Sequence, residues 1–160
     1  MPNLHLKHSA FAALTLQELY EVLWLRNLVF VCGQKITAEP EVDGLDPECV
    51  HVLGDLEGQL VVTARLFMDQ HPIKIGRIAV HPSWQGQGLG TEMMSYIHEL
   101  LGDQSAAMSA QAYLRAWYSR LGWQAVGNLY NEAGIPHIWM VRGRINLEAT
   151  ESPGEESEVR

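Results

Sequence analysis

Three glycines at alternate positions, in Gln85-Gly86-Gln87-Gly88-Leu89-Gly90-Thr91, constrain this chain more than any other feature. They lie between the apolar run Ile73 to Val80 and a segment with Leu89, Met93, Ile97, Leu100 and Leu101 at helical spacing. The local order is therefore strand, glycine turn, helix. Glycine lets a backbone approach a ligand closely, and the free N–H groups at a helix start attract anions. Two familiar phosphate cradles fail here. A dinucleotide fingerprint counted from Gly86 needs glycine where Thr91 stands, and a P-loop needs Lys-Ser/Thr after its last glycine, whereas Gly90 precedes Thr91-Glu92. What remains is Gln-x-x-Gly-x-Gly, carried by Gln85, Gly88 and Gly90. A ligand-free tight turn is the competing reading.

The rest of the chain supplies a scaffold for that unit. Leu4 and Leu6 alternate with His5 and Lys7 as in a short first strand, and Thr15-Leu16-Gln17-Glu18 is a capping-box pattern opening a helix that is expected to reach Val31. Gly33 to Pro47 has no apolar period and contains Pro40, Gly44 and several acids, which predicts a long irregular loop of the kind that often carries function. Val50 to Leu56 and Leu60 to Phe67 read as a hairpin. Ala106 to Ala110 reads as a short buried strand. Leu114, Trp117, Tyr118 and Leu121 then form a helical stripe ended by Gly122. Trp123 to Gly127 and Pro136 to Arg142 complete the strands, joined by a loop that includes Asn131 and Gly134.

At 160 residues the chain suits one domain, expected over 1–147, followed by an acidic, disordered tail over 148–160. The net charge is −8, half of it from that tail, which argues against nucleic acid as a partner. No run of eighteen apolar residues offers a membrane span, so a cytoplasmic protein is expected. Cys32 and Cys49 form no metal-ligand spacing, and no metal is expected.

The motif Gln85, Gly88, Gly90, with Gly76-Arg77-Ile78-Ala79-Val80-His81-Pro82 before it and Tyr118-Ser119-Arg120-Leu121-Gly122-Trp123 after it, resembles the acetyl-CoA signature of the GCN5-related N-acetyltransferase (GNAT) superfamily. Arg26 to Val31, Glu41 to Asp46 and Gly134 to Met140 resemble its ElaA-type branch. The resemblance implies an α/β GNAT fold: a mixed sheet of six to seven strands flanked by helices, with a splayed strand pair holding acetyl-CoA. It implies that the strand backbone at Ile78, Ala79 and Val80 pairs with the pantetheine arm, while Gln85, Gly86, Gln87, Gly88, Leu89, Gly90 and Thr91 hold the pyrophosphate. Tyr118 matches the phenol that protonates the departing thiolate; ordinary pKa values of about 10 and about 8.5 permit that transfer. A core tyrosine is the alternative. Gln111 stands where the family often has an amide contacting the coenzyme, and a role at the helix start is equally open.

The implied reaction is direct transfer of the acetyl group to a primary amine of a small molecule or peptide. A catalytically silent acetyl-CoA sensor is the alternative. Glu41, Asp43, Glu132 and His137 are the candidates for the general base, with Glu41, Asp43 and His137 the expected substrate contacts. An acidic loop at Glu41, Asp43 and Asp46 points to a cationic acceptor. Trp139 and Met140 belong either to the core or to a homodimer interface, so the chain is expected to be a monomer or a homodimer.

Overall fold

The computed structural model describes residues 3–144; the expected tail over 148–160 lies outside the described residues. Seven strands, β1 (His5–Ala10), β2 (Val50–Leu56), β3 (Gln59–Phe67), β4 (Ile73–Val80), β5 (Ala106–Gln111), β6 (Gln124–Glu132) and β7 (Ile135–Arg142), form one sheet in the order β1-β2-β3-β4-β5-β7-β6. All neighbours are antiparallel except β4 and β5. The helices are α1 (Leu16–Arg26), α2 (Leu89–Leu101) and α3 (Arg115–Arg120). This is the mixed sheet the sequence predicts, with seven strands. β6 is longer than expected: it takes in Asn131, and the connection to β7 shrinks to Ala133-Gly134.

The apolar stripe of α2 explains where the main core sits. Leu89, Met93, Met94, Ile97 and Leu101 are buried against Val52, Val62, Leu66, Ile73, Ile75, Met108 and Met140. Each such side chain contributes roughly 1.5–3 kcal/mol when removed from water. Trp139 and Met140 are both buried within the single chain, which answers the alternative of an interface in favour of the core. None of the helices is long and apolar enough to cross a membrane among the described residues.

The first helix starts as predicted. Glu18 N–H donates to Thr15 Oγ1 and Thr15 N–H to Glu18 Oε1, each at 3.0 Å. It ends sooner. Beyond Arg26 the chain winds as a π-helix over Asn27–Gly33, and Gln34 N–H reaches back to Val29 O at 3.0 Å. Val29, Phe30 and Val31 place two β-branched residues and an aromatic in succession, which crowds α-helical winding. The wider turn brings Val29, Phe30 and Gln34 to the wall of a cavity.

β4 and β5 pair only from Ile73 to Ile75 and from Ala106 to Met108, then separate. On its other edge β4 carries a bulge: Arg65 faces Gly76 while Thr63 faces Ala79, so the register shifts across Arg77 and Ile78. Arg77 sits there at φ 50°, a left-handed conformation that costs a non-glycine residue about 1–3 kcal/mol. Its guanidinium is held by Glu41, with Nε to Oε2 at 2.7 Å and Nη2 to the backbone oxygen at 3.2 Å.

That contact is one corner of a buried network. Arg26 binds Glu41 Oε2 at 2.8 Å and Asp46 Oδ1 at 2.7 Å, and Arg65 binds Asp43 Oδ2 at 2.6 Å and Asp46 Oδ1 at 3.1 Å. Arg77 also approaches Asp43 Oδ2, at 3.4 Å. Three guanidinium groups and three carboxylates thus balance one another. His51 is buried alongside, its Nε2–H donating to Asp46 O at 2.9 Å. Burial opposes the charged forms of Asp43 and Asp46. Hydrogen bonds from Arg65 and the Leu45 N–H to Asp43, and from Arg26 to Asp46, outweigh it, holding Asp43 well below the usual carboxylate range and lowering Asp46. The acidic loop expected to point to a cationic acceptor is therefore pinned, with its three carboxylates bound to arginines.

Removing one partner of such a network strands the others without a counter-charge, at a cost of about 3–5 kcal/mol. Asp46→Ala is expected to lower unfolding stability in urea by that amount, against less than about 0.5 kcal/mol for the exposed neighbour Glu48→Ala. Equal losses for the two variants would contradict the assignment.

Candidate active site

The separation of β4 from β5 opens a cavity of about 610 Å³. Its walls come from the π-helical segment (Val29, Phe30, Gln34), from Gly76 to Ile78 and Val80 of β4, and from Met108 to Gln111 of β5. The glycine turn, Tyr113, Leu114, Trp117, Tyr118 and the β6–β7 connection complete them.

The turn is built by short-range contacts. Pro82–Trp84 forms one 3₁₀ turn, capped by Ser83 N–H donating to His81 Nδ1 at 3.1 Å. Gln85 Nε2 donates to Val80 O at 3.2 Å, so this side chain ties the turn to β4. Gly86 (φ 76°) and Gly88 (φ 80°) are left-handed, and a methyl group added at either would meet no atom within 4 Å. Gly88 is the N-cap of α2 and has no side chain to offer; the first helical bond is Glu92 N–H to Gly88 O. The N–H groups of the first turn are left without helical acceptors beside an open cradle, at the positive end of the helix dipole. Gly90 serves differently. A Cβ there would stand 3.4 Å from Trp117 and Val80, and Trp117 Nε1 donates to Thr91 Oγ1 at 3.2 Å.

Of the residues singled out in the sequence, Ile78, Val80, Gln85, Gly86, Gly88, Leu89, Gly90, Thr91, Gln111, Tyr118, Glu41, Glu132 and His137 line this one cavity. Ala79 does not: its side chain packs with Val22, Leu25 and Leu53 on the opposite face. Gln87 is exposed outside it. Asp43 also lies outside it, committed to Arg65. Glu41 lines the wall with its carboxylate held by Arg26 and Arg77.

Tyr118 is 3 % exposed, with its ring 4.7 Å from that of Trp117. Burial pushes its phenol further above the ordinary tyrosine value, so it stays protonated throughout the neutral range. Its hydroxyl makes no hydrogen bond with the described residues. Gln111 spends its amide on Gln34: each side chain donates to the other at 2.9 Å, linking the end of β5 to the π-helical segment.

A second polar group lines the cavity at β5, β6 and β7. Ser109 Oγ lies 2.5 Å from Tyr130 Oη and 3.3 Å from Glu132 Oε2, and His137 Nε2 lies 3.3 Å from the same carboxylate oxygen. His137 Nδ1 is 2.7 Å from Ile135 O, and the rings of Tyr130 and His137 stack. Sequence reasoning missed Gln34 and Ser109. For Ser109 the available signal was strand alternation, which places it on the same face of β5 as Gln111; Gln34, on no strand, offered none.

Residues 41–143 match the sequence profile of the acetyltransferase (GNAT) domain. A UPF0039 protein of Schizosaccharomyces pombe is 35% identical over 147 residues, which cover 88% of this chain and 97% of that protein. ElaA of Escherichia coli is 35% identical over 138 residues, covering 81% and 90%. Its crystal structure superposes with a TM-score of 0.79 over 88% of this chain and 99% of ElaA. An acyl-CoA N-acyltransferase from Pseudomonas aeruginosa superposes with a TM-score of 0.79 at 38% identity, over 88% of this chain and 100% of that one.

Lys74 stands behind the polar group, on β4, and is 5 % exposed. Burial pushes its amine down from 10.5 to about 8, against the attraction of Glu132. The unfolded chain therefore holds this proton more tightly, and stability must rise with pH between about 8 and 10.5. Lys74→Met is expected to be more stable than the wild type at pH 7 by up to about 3 kcal/mol, an advantage that fades as pH approaches 10.5. Thermal unfolding at several pH values checks this; a pH-independent difference would contradict it.

Proposed function

Because this chain belongs to the GNAT acetyltransferase family, in its ElaA-like branch, we propose that it transfers the acetyl group of acetyl-CoA to a primary amine, both substrates meeting in the cavity between β4 and β5. The observation that carries the reading is the uncapped start of α2, whose free N–H groups open onto the same cavity as Tyr118. The likeness to the Pseudomonas protein described as an acyl-CoA N-acyltransferase supports it.

The chain's residues divide the work as follows. The N–H groups from Gly86 to Thr91 take the pyrophosphate, for which the glycines leave room. The backbone of Ile78 and Val80, freed from β5 by the splay, pairs with the pantetheine as an added strand. Bound acetyl-CoA supplies an electrophilic thioester carbonyl. Tyr118, kept protonated by burial and without a partner among the described residues, delivers its phenolic proton to the leaving sulfur. Gln111 acts through Gln34, bracing the far wall rather than offering its own amide.

Two variants separate binding from chemistry. Tyr118→Phe is expected to lower kcat about ten-fold or more with the Kd for acetyl-CoA unchanged. Gly88→Val, which forces a β-branched residue to φ 80° and fills the cradle, is expected to weaken coenzyme binding about ten-fold or more. Thiol release across a panel of amines and peptides, beside calorimetry with acetyl-CoA, provides both readouts. Binding without turnover on any acceptor would indicate a sensor, and absence of binding would overturn the proposal.

A further inference from the structure

We infer that Glu132, positioned by His137 and Ser109, receives the acceptor as a primary alkylammonium and takes its proton before attack. The inference rests on the acyl-transfer reading above. Only two carboxylates line the cavity among the described residues, Glu41 and Glu132. Glu41 is bound by two guanidinium groups and has no charge to spare for a substrate. Glu132 is bound by none. It is the one acidic group of the cavity that can compensate an incoming cation.

Its surroundings are arranged for a proton. Ile135 O can only accept, so His137 Nδ1 carries a hydrogen and donates to it. His137 Nε2 then turns its lone pair toward Glu132 Oε2 at 3.3 Å, so that a proton arriving from the substrate is shared between the two atoms. Tyr130 donates to Ser109, and Ser109 to the same Oε2, which fixes the carboxylate from the other side. Glu132 Oε1 takes no hydrogen bond from the described residues and is free for the substrate N–H. Lys74, from β4, is the remaining charge that Glu132 feels, and it does not line the cavity. Val29, Phe30 and Ile36 line the same cavity and suit an apolar stem on the amine.

The step balances. One proton of the ammonium passes to the Glu132–His137 pair and on to water. The freed nitrogen lone pair forms the C–N bond to the thioester carbonyl carbon, and the C–S bond breaks with its electron pair on sulfur. Tyr118 gives sulfur a proton and is restored by the second proton lost from nitrogen. The products are an N-acetylated amine, free coenzyme thiol and one proton released.

The test measures kcat/KM against pH for wild type, Glu132→Gln and Glu132→Asp, using a simple alkylamine in one arm and a lysine-containing peptide in the other. Coenzyme Kd is measured alongside as the check on folding. In whichever arm the wild type turns over, Glu132→Gln is expected to lose about 100-fold or more at pH 7. It should then regain activity about ten-fold per pH unit as the acceptor deprotonates by itself. Glu132→Asp should retain part of the lost activity. A Glu132→Gln profile parallel to wild type, or within about three-fold of it, would overturn the role of Glu132 and leave acyl transfer standing. Coenzyme binding without turnover of any amine by the wild type would instead remove the acyl-transfer reading, and this inference with it.

Discussion

The clamp of Glu41 on Arg26 and Arg77 is the contact on which the site's geometry depends. Arg77 occupies a strained left-handed conformation at the bulge of β4, and the bulge turns that strand's backbone away from its regular register just where β5 leaves it. Strain of this kind persists only when surrounding contacts over-determine it. Here the contacts are charge-assisted and buried, and they reach from α1 through the 33–47 segment to β3 and β4. The cavity is thus held open by a neutral lattice of three arginines and three carboxylates.

That neutrality decides the electrostatics of the site. An acidic count in the loop suggests a field that attracts cations, but Glu41, Asp43 and Asp46 each face at least one arginine. The charge left facing the cavity is local: the positive start of α2 on one side and the Glu132 carboxylate on another. These two features belong to different walls of one cavity, which suits a site that brings an anionic coenzyme and an ammonium together.

Much of the scaffold was legible because it depends on short-range pattern. The boundaries of β4 coincide with the apolar run Ile73 to Val80, and the capping box at Thr15 and the left-handed glycines at 86 and 88 follow from local chemistry. The π-helical turn was not legible, since α and π winding share the same apolar spacing over so short a stretch. Nor was the arginine network. Arg65 lies within an otherwise apolar strand, and its partners are set by how a loop twenty residues earlier folds over the sheet. Among the residues lining the cavity, Tyr118 and the glycine turn had a motif to mark them. Ser109 shared only a strand face with Gln111, and Gln34 comes to the cavity through its contact with Gln111, so neither had a distinguishing spacing of its own.

In the proposed complex the coenzyme lies along β4 and ends on the start of α2. Titration of ¹⁵N-labelled protein with acetyl-CoA, followed by amide chemical shifts, tests it most directly. The largest changes are expected at the N–H groups of Gly86 to Thr91 and at Ile78 and Val80. Changes concentrated elsewhere, such as at the small depression lined by Trp24, Leu28 and His81, with the glycine turn unmoved, would contradict it.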